Sequence, residues 1–113
     1  MSDKNNQTWV QVCSESDLEE DSGIAFFHNG VQYALFKPLH GDKLYATQNL
    51  CPHKQQMVLS RGLLGDSGGK PKISCPLHKR SFLLETGECL NDDAYKIETY
   101  PTKVEKGYAY VMI

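Results

Sequence analysis

Apolar and polar positions alternate along this chain in short stretches, each of strand length. Thr8–Cys13 alternates as a half-buried strand does, and the acidic Ser14–Ser22 stretch after it reads as a loop or short helical turn. Ile24–Phe27 and Val31–Phe36 are β-rich runs on either side of His28-Asn29-Gly30. Asn-Gly between such runs predicts a tight hairpin, because both residues tolerate positive φ. Leu44–Gln48 predicts a further strand that leads directly toward Cys51. Met57–Pro71 carries Gly62, Gly65, Gly68 and Gly69 and reads as a loop with a tight turn, followed by a short strand, Lys72–Ser74, leading into Cys75. Ser81–Leu84 and Glu88–Leu90 predict a hairpin turned at Gly87. Tyr95–Thr102 and Tyr108–Ile113 predict a last one around Lys106-Gly107. The tyrosines at 33, 45, 95, 100, 108 and 110 fit strand positions and need no functional explanation.

Many short strands at roughly 8–12-residue spacing predict an all-β fold, an antiparallel sandwich or small barrel. The 113 residues suffice for one domain, spanning 1–113. A membrane-crossing helix needs about 20 apolar residues, and no run here approaches that. The polar start Met1–Gln7 has no signal-peptide core, so the expected location is cytoplasmic, with no membrane association. Four cysteines in that compartment point to metal binding or burial rather than to disulfides. A net charge of −2 argues against a nucleic-acid partner, which requires a basic surface. The charge is unevenly placed. Residues 54–80 hold six basic groups and one acidic group, +5, against six basic and thirteen acidic elsewhere, −7. That segment is either a solvated lysine-rich loop or a docking face of positive potential.

Two boxes carry the chemistry. Cys51-Pro-His53 is followed, after 21 residues, by Cys75-Pro-Leu-His78. Each box offers one thiolate and one imidazole in a loop that follows a strand, and Pro52 and Pro76 stiffen the junctions. Two thiolates and two imidazoles suit zinc or an iron–sulfur cluster. Zinc sites of this composition usually pair Cys with Cys and His with His. The mixed boxes here match a binuclear cluster whose two cysteines hold one iron and whose two histidines hold the other. An empty site and a zinc site are the alternatives.

The boxes resemble those of the Rieske family, C-x-H and C-x-x-H separated by 15–21 residues. The stretch Cys75-Pro-Leu-His-Lys-Arg-Ser-Phe82, with Leu-Leu-Glu-Thr-Gly87 after it, is similar to the family's pattern there. The resemblance implies a [2Fe-2S] cluster on Cys51, His53, Cys75 and His78. It also implies a pair of antiparallel sheets carrying a cluster-binding subdomain at one end, here about 44–83. Within the family, the chain is most similar to the small subunits of cytoplasmic NAD(P)H-dependent nitrite reductases. The segments that carry this are Phe36-Lys-Pro, Cys51-Pro-His-Lys, Met57–Gly65, Cys75–Phe82 and Leu84–Leu90. That likeness implies an electron-transfer subunit with a nitrite reductase large subunit as partner, the latter carrying FAD, siroheme and a [4Fe-4S] cluster. The alternatives are a free ferredoxin serving a ring-hydroxylating oxygenase and a structural subunit with an empty or zinc-filled site.

Two departures from the wider family matter. Glycine commonly follows shortly after each histidine, whereas Lys54-Gln55 and Lys79 stand here. Relatives of high potential place a serine two residues and a tyrosine four residues beyond the second histidine, where this chain has Arg80 and Phe82. Fewer hydrogen bonds to the sulfurs imply a potential toward the low end of the range. Lys54, Lys79 and Arg80 flank the histidines and make the expected docking face. No phosphate-binding glycine motif is present, and a fully ligated cluster leaves no open position for substrate, so the chain is not expected to be catalytic alone. Cys13 and Cys89 are expected to pack as small buried hydrophobes, and His28 and His40 to sit in exposed turns.

Overall fold

The computed structural model describes residues 8–38, 43–52, 55–77, 80–91 and 95–113. All named strands pair antiparallel. β1 (Trp9–Ser14) leads through a 3-10 turn, Glu15–Asp17, to β2 (Ser22–His28) and β3 (Val31–Lys37). The β2–β3 hairpin turns on Asn29 and Gly30 at φ 52° and 81°, the two positive angles that Asn-Gly predicts. β4 (Tyr45–Gln48) pairs with β3, and β10 (Thr99–Tyr100) with β4, completing a sheet of order β10-β4-β3-β2. A second sheet, β1-β12-β11, joins β11 (Thr102–Glu105) and β12 (Tyr108–Met112) to the first strand.

The other two sheets carry the cysteine boxes. β5 (Leu50–Cys51) and β6 (Gln56–Met57) form a two-stranded pair. β7 (Leu63–Ser67), β8 (Lys70–Ser74) and β9 (Ser81–Leu83) form a three-stranded sheet.

Two expectations need correction. The stretch 57–71 is not a loop but mostly hairpin, with Leu63 opposite Ser74 and Ser67 opposite Lys70. Its turn, Gly68-Gly69 at φ 59° and 90°, sets the register, and Asp66 Oδ2 accepts from Gly69 N at 3.0 Å. β7 is Leu-Leu-Gly-Asp-Ser, too poor in strand formers to read as one, and it is held by backbone pairing rather than by propensity. Nor is Tyr95–Thr102 one strand. Pro101 interrupts it, and the chain passes there from the β4 sheet to the β12 sheet.

Among the described residues the buried side chains form two cores. One, between the two larger sheets, contains Leu18, Leu35, Leu44, Ala46, Ala109 and Val111. The other gathers Ala34, Phe36, Cys51, Leu59, Ile73, Cys75, Phe82, Leu84, Cys89 and Ile97. β3 is the wall between them. Tyr33 to Phe36 are all buried, with Leu35 in the first core and Ala34 and Phe36 in the second, as alternation along a strand covered on both faces requires. The two motif cysteines, Cys51 and Cys75, therefore lie in the core on the Ala34 and Phe36 side of β3.

Candidate metal centre

The first cysteine loop begins where β4 ends. Asn49 leaves the sheet, Leu50 and Cys51 form β5, and the chain returns along β6, with Cys51 opposite Gln56. Gln55 N donates to Cys51 O at 2.7 Å, so the turn closes directly over the cysteine. Gln55 adopts φ 57° without being glycine, and its side-chain Nε2 donates to Pro52 O at 2.8 Å. At the base of this loop Leu59 N donates to Asn49 O at 3.1 Å and Ser60 N to Asn49 Oδ1 at 2.7 Å. Asn49 Nδ2 donates in turn to Gln32 Oε1 of β3 at 2.6 Å.

The second loop repeats the scheme with different residues. Cys75 follows β8, and its N donates to Arg80 O at 2.8 Å, where β9 begins. The hydroxyls of Ser74 and Ser81, opposite each other in the β8–β9 pair, lie 2.7 Å apart. Ser81 N donates to Asn91 Oδ1 at 2.8 Å. The β7–β8 pair is tight at its end next to Cys75: a Cβ on Gly62 would run into the carbonyl oxygen of Ser74.

Cys51 and Cys75 are both free thiols, 0% and 1% exposed, and belong to one core. Two soft donors presented from closed loops into one apolar surround suit a thiolate-bound metal, whose positive charge offsets the cost of burying thiolates. His53 and His78, with Lys54 and Lys79, lie outside the described residues, as does His40. Among the described residues, no three His, Cys, Asp or Glu side chains are placed together to hold a metal ion. Arg80 is half-buried, with its guanidinium over the Tyr95 ring at 5.5 Å. Phe82 is fully buried in the core that holds both cysteines.

The remaining candidates behave as packing residues. Cys89 is buried. Cys13 is half-buried, and burial, with Asp17 nearby, raises its thiol above the ordinary range. His28 ends β2, half-buried, beside the Asn29 amide. Sequence reasoning missed Asn49, Ser74 and Ser81. The available signal was position: each is a short polar residue within two places of a cysteine, or opening the strand after one.

Antiparallel sheets with two cysteines buried in one core agree with a Rieske-like [2Fe-2S] domain. Residues 8–112 match that domain, and the chain belongs to this family. Within it, the chain is 32% identical to the nitrite reductase (NADH) small subunit of Salmonella typhimurium, over 88% of this chain and 92% of that one. It is 48% identical to a nitrite reductase [NAD(P)H] of Emericella nidulans over 73% of this chain, which is 8% of that much longer protein. It is 35% identical to the ferredoxin component of naphthalene 1,2-dioxygenase/salicylate 5-hydroxylase systems of a Ralstonia species, over 88% of this chain and 89% of that one. The solution structure of the nitrite reductase [NAD(P)H] small subunit of Erwinia carotovora superposes with a TM-score of 0.78 at 33% identity, covering 93% of this chain and 81% of that one. Among the described residues no helix is long and apolar enough to cross a membrane.

Proposed function

We propose that the chain is the electron-transfer small subunit of an NAD(P)H-dependent nitrite reductase, with a [2Fe-2S] cluster held by Cys51, His53, Cys75 and His78. The observation that carries this is the pair of closed loops whose free thiols, Cys51 and Cys75, are buried in a single core. Each loop holds a histidine of the motif between its cysteine and the residue that closes it. The cluster, when bound, supplies a one-electron store. The loops orient the two thiols and exclude water from them. The domain would divide into a base of two larger sheets and a cluster-bearing end of about 44–83.

The partner in this reading is a large subunit that carries FAD, siroheme and a [4Fe-4S] cluster and performs the reduction of nitrite to ammonia. The Emericella relative supports the pairing, because there a stretch similar to this chain is part of one long nitrite reductase polypeptide. Electrons would leave beside His53 and His78, with Lys54 and Lys79 next to the exit. The likeness to the Ralstonia ferredoxin component favours a second reading, a free carrier for a ring-hydroxylating oxygenase.

Anaerobic reconstitution of the full chain tests the site. The expected result is about two irons and two sulfides per chain, with a Rieske-type spectrum on reduction. One zinc per chain, or a folded protein that takes up no iron, overturns it. Mild affinity purification separates the two readings of the partner: recovery of a flavin- and siroheme-containing protein supports the first, and recovery of an oxygenase supports the second.

A further inference from the structure

Among the described residues, the buried polar side chains are Thr47, Asn49 and Ser81. Two of these three stand at the bases of the two cysteine loops. Asn49 ties both ends of the first loop together: its backbone oxygen takes Leu59 N and its side-chain oxygen takes Ser60 N. Its amide then fastens that base to Gln32 on β3, the strand that separates the two cores. At the second loop the Ser81 hydroxyl meets that of Ser74, while its backbone N–H, which any residue there would keep, donates to Asn91.

We propose that Asn49 and Ser81 are positioning residues, which fix Cys51 and Cys75 in their binding geometry before any cofactor arrives. This rests on the function proposed above and deepens it. An apolar side chain at either place could fill the volume. At position 49 it could not reach both Ser60 N and the Gln32 side chain, and at either position it would leave Ser60 N, or the Ser74 hydroxyl, without this partner at a part-buried place. Cys51 and Cys75 are 0% and 1% exposed. Their near-zero exposure is a property of loop closure, and each loop closes at its own base. A rigid cofactor must meet ligands placed to within a fraction of an ångström, so closure in the empty chain directly favours its capture.

Because each base serves its own loop, the two can be opened separately. The test is timed alkylation of the reduced, cluster-free full chain with iodoacetamide, followed cysteine by cysteine by mass spectrometry. Asn49→Ala is expected to speed modification of Cys51 by about tenfold or more, leaving Cys75 and Cys89 within about twofold of wild type. Ser81→Ala is expected to do the converse, speeding Cys75 and sparing Cys51. Asn49→Asp keeps an acceptor for Ser60 N, and Gln32 can turn its amide to donate to it, so this variant is expected to restore a closed Cys51. In the reconstituted chain the two alanine variants are expected to broaden the reduced-state resonance. Equal acceleration of Cys51, Cys75 and Cys89 would mean general loosening and would overturn the proposal, as would no acceleration at either site. Failure of wild type to take up iron and sulfide is a different result: it refutes the function above and the binding role assigned here with it.

Discussion

Gly62 presses on the carbonyl of Ser74 with no room for a side chain between them. Gly62 closes the 3-10 turn that follows the first cysteine loop, and Ser74 immediately precedes Cys75. This contact therefore holds the end of the β7–β8 pair, next to Cys75, tightly closed. Gly62 has φ −73°, open to any residue, so the restriction is steric and not conformational. Gly62→Ala is expected to destabilise the chain by about 1–3 kcal/mol through overpacking. Denaturant unfolding checks it, with Gly30→Ala as a contrasting case: nothing crowds a Cβ there, but φ is 81°.

Replacing either cysteine is expected to abolish cluster assembly, because each supplies half of the thiolate charge at its iron. Cys51→Ser and Cys75→Ser should therefore give chains with no bound iron and sulfide after reconstitution. His53→Cys or His78→Cys exchanges a neutral ring for an anionic thiolate, which disfavours electron uptake. Any cluster retained should reduce at a lower potential than wild type, measurable by protein-film voltammetry.

The wild-type potential is expected to lie below zero, near the roughly −150 mV lower end for histidine-ligated centres. Phe82, fully buried with the two cysteines, has no hydroxyl to offer a sulfur, and Arg80 rests on Tyr95. A voltammetric midpoint well above about +100 mV would contradict this reading.

If the positive potential of residues 54–80 guides docking, charge reversal should slow association without touching the cofactor. Lys54→Glu with Lys79→Glu is the suitable pair. Arg80 is packed on an aromatic ring, so reversing it would disturb structure as well as charge. The double variant should keep the wild-type spectrum, associate more slowly with the large subunit, and lose less binding than wild type on added salt. Full NAD(P)H-driven nitrite reduction by the variant at low salt would reduce the basic segment to a solvated rim.

Alkali should destabilise the fold. Burial, with Tyr33 and Glu98 nearby, raises Tyr100 above its ordinary value of 10.0, and burial with Glu85 does the same for Tyr45. The unfolded chain then loses these protons at lower pH than the folded chain, so it binds fewer of them and stability falls as pH rises. The contribution is intact below the ordinary tyrosine pKa and disappears as pH climbs through the raised one. Melting temperatures measured from pH 8 to 11 should drop, and Tyr100→Phe should flatten the slope.

The parts of this molecule legible in its sequence are those fixed by local chemistry. Asn29-Gly30 announces its hairpin because both residues accept positive φ, and Gly107 marks the last one, whereas Lys106 takes φ 53° against its own preference. The motif cysteines are likewise visible from spacing alone. What stayed hidden depends on partners distant in sequence. β7 pairs despite Gly65 and Asp66 because β8 and the Gly-Gly turn hold it. The change of sheet at Pro101 depends on which strands, β4 and β12, are waiting on either side. Asn49 reaches Gln32, 17 positions back, and Ser60, 11 positions on; its nearness to Cys51 is visible in the sequence, but these distant partners are not.

The pairing of β1 with β12 has a further consequence. Thr8 and Ile113 exchange both backbone hydrogen bonds, each at 3.0 Å, so the two ends of the described fold leave side by side. A unit whose ends coincide can be spliced into a longer polypeptide at one point, or tethered from either end, without turning its working face. Joining a further segment at Thr8 or at Ile113 would therefore leave the sheets that carry Cys51 and Cys75 as they are.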